Sequence, residues 1–188
     1  APGSPQDQLG EGLVEFDATA YAEAALDCAR RTLAGHGPVD AVGVSNQRAS
    51  TIVWDRATGE PVAPAQGWQD LRTVGECLVL NAEGHTIAPN HSATKIAAIL
   101  DQVDPDRSRD LCFGTPDTWI VWQLTEGARH VSDASNAGVW HPRQRLHGGA
   151  RRPAGAAAHP RVDAAGGRQL DRRGRRRHRA GGWPADLR

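Results

Sequence analysis

The 188-residue sequence predicts an α/β fold, and three observations carry that prediction. Short apolar runs of strand length, Val39 to Val44 and Thr51 to Trp54, are rich in β-branched residues. Stretches with helical spacing lie before and after them, each opened by a residue suited to cap a helix. The two kinds of segment alternate along the chain, which argues for a layered α/β domain with a largely parallel sheet.

Each element has its own justification. Asp17 caps a predicted helix from Ala18 to Ala34, with Tyr21, Ala25, Cys28 and Thr32 on one face and Gly35 as its stop. The run from Val39 to Val44, broken only by Asp40, reads as a buried strand after Pro38, followed by a strand over 51–55. Arg56-Ala-Thr-Gly59 makes a hairpin-type turn, with glycine where a positive φ is useful. Trp68-Gln-Asp70 lies on a loop entering a helix from Thr73 to Leu80. Ser92 is read as the cap of a helix over Ala93 to Gln102, which points Ile96, Ile99 and Leu100 inward. Leu111 to Phe113 forms a short strand. Thr115, Pro116 and Asp117 then supply cap, first turn and first-turn charge for a helix that buries Trp119, Ile120 and Leu124 and ends near Gly127.

Composition divides the chain near residue 140. The formal charge is zero, yet residues 1–140 hold 9 basic and 19 acidic side chains, against 13 basic and 3 acidic in residues 141–188. Gly, Ala, Pro and Arg fill 34 of those last 48 positions. Cys28, Cys77 and Cys112 are odd in number and scattered, which suits a reducing compartment better than a disulfide framework or a metal site. No apolar run approaches the ~18 residues of a membrane span, and no signal peptide heads the chain. A soluble, cytoplasmic protein is therefore expected.

The candidate functional feature is the tip of the first predicted strand, Ser45-Asn-Gln-Arg48. Ligands of open α/β sheets sit outside the carboxyl ends of strands, and amides beside a cation are suited to gripping hydroxyl groups. The same four residues also read as a polar turn between two strands, and Arg48 as the partner of a surface carboxylate. Trp68, like Trp54, Trp119 and Trp122, also reads as core. His85 and His91 lack metal-ligand spacing, and Lys95, the only lysine, reads as a cation on a helix surface or between domains.

Seven blocks in register carry a resemblance. They are Gly12-Leu-Val-Glu-Phe-Asp17, Val42-Gly-Val-Ser-Asn-Gln-Arg48, Ile52-Val-Trp-Asp55 with Thr58-Gly-Glu-Pro61, and Trp68-Gln-Asp70. Ser92-Ala-Thr-Lys95, Phe113-Gly-Thr-Pro-Asp-Thr-Trp119 and His130-Val-Ser-Asp-Ala-Ser-Asn-Ala137 complete the set. In this order they resemble the N-terminal half of the FGGY carbohydrate kinases, most closely the branch that phosphorylates glycerol.

The resemblance implies part of an actin-like, ribonuclease H-like domain, the sugar-binding one of two that close over sugar and ATP. Arg48 then hydrogen-bonds substrate hydroxyls, Trp68 walls the carbon backbone, and Gln47 and Asn90 lie nearby. Ala49 stands where that branch has a substrate-binding Glu, and Asn90 where it has a Tyr. Losing those two groups changes which hydroxyls can be satisfied, at about 1–3 kcal/mol for each buried polar group left unpaired. Glycerol is the first substrate choice, and another small polyol or a ketose the second.

The family's Asp-x-Gly-Thr-Thr hairpin would precede residue 1. Its Gly-Asp-Gln-Gln block, with the catalytic Asp, would follow residue 140, so no catalytic residue is assigned. Asp70 and Asp133 do not occupy that position. ATP and Mg²⁺ serve the intact family, and this chain, read as a truncated fragment, is expected to be inactive alone and to bind neither.

Residues 141–188 are read as an unstructured tail translated out of frame from a GC-rich gene. The alternatives are a genuine disordered tail, or a basic nucleic-acid-binding tail on a non-catalytic fragment, built on Arg172-Arg-Gly-Arg-Arg-Arg-His-Arg179. No aromatic interleaving supports the last, so nucleic acid is not an expected partner.

Overall fold

The computed structural model describes residues 7–36 and 38–140, together with the backbone of a short strand at 163–164. Strands β1 (Asp7–Gly10) and β2 (Leu13–Phe16) form a hairpin, and β2 also pairs with β4 (Ala65–Gln66), all antiparallel. Strand β3 (Ile52–Asp55) pairs antiparallel with β5 (Leu111–Gly114). Helices α1 (Ala18–Leu33), α2 (Val74–Ala82), α3 (Ser92–Val103), α4 (Pro116–Leu124) and α5 (Ala134–Ala137) cover these strands. The mixed α/β class holds. The largely parallel sheet does not, because among the described residues only β6 (Val131–Ser132) and β7 (Asp163–Ala164) pair in parallel.

The β3–β5 ladder organises the core through the two-residue period of a strand. Ile52 and Trp54, with Cys112 across the ladder, face α1 and α4, where they meet Ala18, Ala22, Trp119 and Trp122. Val53, Leu111 and Phe113 face the other way, onto Ile96, Ile99 and Leu100 of α3. Trp54 lies at the centre of the first cluster, its ring 5.1 Å from Trp119 and 5.6 Å from Trp122. Trp119 also donates its indole N–H to the Ala18 carbonyl at 2.7 Å, tying α4 to the first turn of α1. Emptying such a site by Trp→Ala costs about 3–5 kcal/mol.

Most caps are where the sequence puts them. Asp17 accepts from the backbone N–H of Thr19 and Ala20, and Thr115 and Pro116 begin α4. Gly35 and Gly59 adopt the expected positive φ. Ser92, however, is the first residue of α3 rather than its cap, a place taken by His91. The buried face of α1 is Ala18 and Ala22 with Tyr21 and Ala25 half-buried, while Cys28 and Thr32 are exposed. Lys95 is not on a surface. It is wholly buried, its ammonium donating to the Pro89 carbonyl at 2.7 Å.

The predicted first strand is not a strand. Residues 38–47 belong to no strand or helix and form no ladder, and Val39 and Val42 are 39% and 47% exposed. Their backbone groups have no backbone partner among the described residues, although Val44 packs against the Trp54 cluster. The segment lines a groove of about 540 Å³ between α1 and α4. Composition favours an extended conformation, but a ladder needs a neighbour as well.

The expectation of an unstructured tail is corrected at Asp163–Ala164, which pair with β6; the rest of 141–188 lies outside the described residues, as does the arginine cluster. No described helix is long and apolar enough to cross a membrane.

Candidate functional site

The turn that carries Gln47 and Arg48 is held by its neighbours on three sides. Immediately after it, Ala49 is buried with φ +69°. A left-handed conformation costs a residue with a Cβ about 1–2 kcal/mol, and such strain persists only where surroundings fix it. Here the Ala49 carbonyl accepts from the hydroxyls of Thr51 at 3.3 Å and Ser92 at 3.4 Å.

The same stretch recruits the other predicted segments. Thr51 and Gln66 exchange backbone hydrogen bonds of 2.8 and 2.9 Å, and the Trp68 N–H donates to the Ser50 hydroxyl at 3.2 Å. Ser92, which reaches Ala49, lies two residues beyond Asn90. The segments bearing Arg48, Trp68 and Asn90 therefore converge on one short stretch of backbone, residues 49–51. Arg48, Trp68 and Asn90 are exposed and Gln47 is half-buried. No hydrogen bond joins these four side chains to one another among the described residues.

Among the described residues Arg48 pairs with no carboxylate within salt-bridge distance; its Nη1 donates to the Ser135 hydroxyl at 3.2 Å. Ser135 belongs to the single turn of α5, capped by Asp133, whose Oδ1 accepts from the backbone N–H of Ser135 and Asn136 at 2.6 and 2.9 Å. Hydrogen bonds from the Asn136 backbone and side chain hold the Asp133 carboxyl below its usual range, with help from the charge of Arg48.

Sequence reasoning missed the polar network beneath this turn. Asn46 and Asn136 exchange side-chain amide hydrogen bonds, each of 3.2 Å. Asn46 Nδ2 also lies 3.4 Å from Asp117 Oδ1, and Asp117 accepts from Ser132 at 2.6 Å and from the Thr115 hydroxyl. Asp117, read above as a helix-start charge, is at the start of α4 but buried. The hints in the sequence were that Asn46 belongs to the predicted cluster and that Asp133 is a residue type suited to cap a helix.

Below Trp68 the chain is pinned by Asp70, which is wholly buried. It accepts from the Val14 N–H at 2.8 Å and from the Arg72 guanidinium at 2.8 Å through both Nε and Nη2. Burial alone would raise its pKa, but these hydrogen bonds outweigh it and the carboxyl is held below its ordinary value. Arg72 in turn reaches Glu15 at 2.7 Å. No group of three or more His, Cys, Asp or Glu able to hold a metal ion occurs among the described residues.

The site thus offers a cation, amides and a solvent-facing indole on a fixed backbone. That combination is suited to a small molecule with several hydroxyls and an apolar face. The profile described as the FGGY family of carbohydrate kinases, N-terminal domain, matches residues 3–141. The chain is 46% identical over 154 residues to a glycerol kinase of Ralstonia pickettii, and 42% identical over 151 residues to one of Methylobacterium nodulans. Each match covers 71% of this chain and 30% of the relative, so the chain spans less than a third of their length. Among solved structures, glycerol kinase of Plasmodium falciparum with ADP superposes with a TM-score of 0.64 at 25% identity, over 71% of this chain and 30% of that one. A ligand-bound xylulose kinase of Lactobacillus acidophilus gives a TM-score of 0.56 at 18% identity, over 73% and 30%, and shares the fold. The match over residues 3–141 establishes that the chain belongs to the FGGY family of carbohydrate kinases.

Proposed function

We propose that this chain carries the hydroxyl-gripping part of a kinase that transfers the γ-phosphoryl group of ATP to glycerol or a similar small polyol or sugar. The reading takes residues 1–140 as part of the sugar-binding domain and 141–188 as a separate tail, in a cytoplasmic setting. One observation carries it. Arg48 stands exposed with its guanidinium on a hydroxyl rather than a carboxylate, while the backbone beside it holds the segments of Trp68 and Asn90.

Arg48 donates to substrate oxygens, Gln47 and Asn90 supply amides, and Trp68 excludes water from one side of the carbon chain. ATP and Mg²⁺ supply the transferred group and its charge neutralisation in the whole enzyme. The described residues form no cluster suited to the metal, so no step is derived through either.

The test is an NMR titration of the 188-residue chain, following the Trp68 indole and the Arg48 guanidinium. Glycerol is expected to shift both signals, saturably and more strongly than propane-1,3-diol, which lacks the central hydroxyl. Equal or absent responses overturn the reading.

A further inference from the structure

We infer that the Asn46–Asn136 amide pair, seated on Asp117 and continued through Ser135, is a positioning device that fixes Arg48 for substrate. This rests on the polyol reading above and adds to it the residues that make the grip rigid.

The argument begins with exposure. Arg48 is a long, exposed side chain, and such a group ordinarily samples many rotamers, so ordering it on binding weakens affinity. Two features limit that freedom here. The backbone of the turn is anchored by Asn46, which contacts Asn136 and Asp117 and donates to its neighbour's carbonyl, Gln47 O, at 3.1 Å. The guanidinium is anchored by Ser135, the residue beside Asn136. One four-residue helix thus holds Arg48 from two directions, its guanidinium through Ser135 and the turn that leads into it through the Asn136–Asn46 pair.

The device is built on rigid parts. Asn136, Asp117, Ser132 and Thr115 are all buried, and Asp117 sits in the first turn of α4, whose Trp119 is locked to α1. Asn136 is held a second time, donating to Asp133 Oδ2 at 2.8 Å. A buried network with its members satisfied specifies one arrangement, whereas an exposed ion pair would leave several.

The test uses the full chain with Asn136→Ala, Ser135→Ala, Arg48→Ala and the two double variants that contain Arg48→Ala. Glycerol affinity is expected to fall about tenfold in Asn136→Ala and a few-fold in Ser135→Ala, in line with loss of one or two hydrogen bonds. Neither change should weaken binding further once Arg48 is alanine, since both act through it. Additive losses in the Arg48→Ala background overturn the proposal and leave Asn136 a merely structural residue.

A readout without ligand stands beside this. Trypsin cleavage after Arg48, scored by mass against cleavage after Arg56, should accelerate about tenfold in Asn136→Ala through local opening of the turn. An unchanged ratio overturns the proposal. Ser135→Ala alters only an exposed hydroxyl, so it keeps the binding arm decisive should Asn136→Ala fold poorly. A wild-type chain indifferent to glycerol overturns the polyol reading and the binding half of this one. The cleavage ratio then still decides whether the network fixes the turn.

Discussion

Arg48 donates from its guanidinium to the hydroxyl of Ser135, 87 positions further along the chain, and among the described residues no acid lies within ion-pair distance of it. Its charge reaches the Asp133 carboxyl without forming an ion pair. Arg48→Ala and Trp68→Ala are therefore expected to change unfolding stability by no more than about 0.5 kcal/mol, as for exposed positions generally. Arg48→Ala should weaken, without abolishing, the glycerol-induced shift of the Trp68 indole, and Trp68→Ala that of the Arg48 guanidinium. Urea melts beside NMR titrations check this, and a large stability loss in either variant would mean that the side chain belongs to the core.

Gly114, at the junction of β5 and α4, has no room for a methyl group. A Cβ there would lie 2.5 Å from Thr118 Cβ, and Thr118 is fully buried. Gly114→Ala should destabilise by about 1–3 kcal/mol. Thr118→Ala should fail to rescue it, because the clashing Cβ remains; denaturant midpoints of the single and double variants decide the matter.

Lys95 makes stability rise with pH over a defined window. Burial lowers its pKa from 10.5 to about 8, so from about 8 to 10.5 the unfolded chain holds a proton that the folded chain has released. Within that window stability increases with pH, because the cost of a buried ammonium is relieved. Cys112 acts oppositely: its thiol, pushed by burial from 9.0 up to about 11, contributes stability below pH 9 that is lost as pH climbs through that interval. Comparing wild type with Lys95→Met cancels the thiol. The stability difference should favour Lys95→Met most below pH 8 and shrink toward pH 10.5, and a difference independent of pH would refute the assignment.

Asp70 should behave in the acid range as Lys95 does in the alkaline. Its depressed pKa means a contribution present above the ordinary carboxylate value and lost as pH falls through the folded one. Asp70→Asn leaves Arg72 with Glu15 alone and should cost about 3 kcal/mol at neutral pH. The gap to wild type should narrow below pH 4, measurable by chemical denaturation across pH.

What the sequence made legible was local. The cap of α1 at Asp17, the Thr115-Pro116 start of α4 and the Gly59 turn depend on neighbours within a few residues, and all appear as expected. Pairing direction was not legible, because strand composition says nothing about which strand lies alongside or which way it runs. Asp117 stands at the helix start as expected, but its burial was not legible, because Asn46 and Ser132 reach it only in the folded chain. Lys95 was misread as a surface or interdomain cation, because the turn that brings the Pro89 carbonyl back onto it has no signature in composition. Motif resemblance is what singled out Gln47, Arg48, Trp68 and Asn90 as the candidate site. The convergence of their segments on residues 49–51 became visible only in three dimensions.

The unladdered stretch from Val39 to Val44 has a practical consequence for anyone handling the chain. Valines turned to water beside open amides and carbonyls are a template on which a foreign strand, or a second copy, gains hydrogen bonds at little cost. The purified protein is then expected to self-associate as its concentration rises. A charged residue in place of Val42 should keep it monodisperse without touching the turn at Arg48.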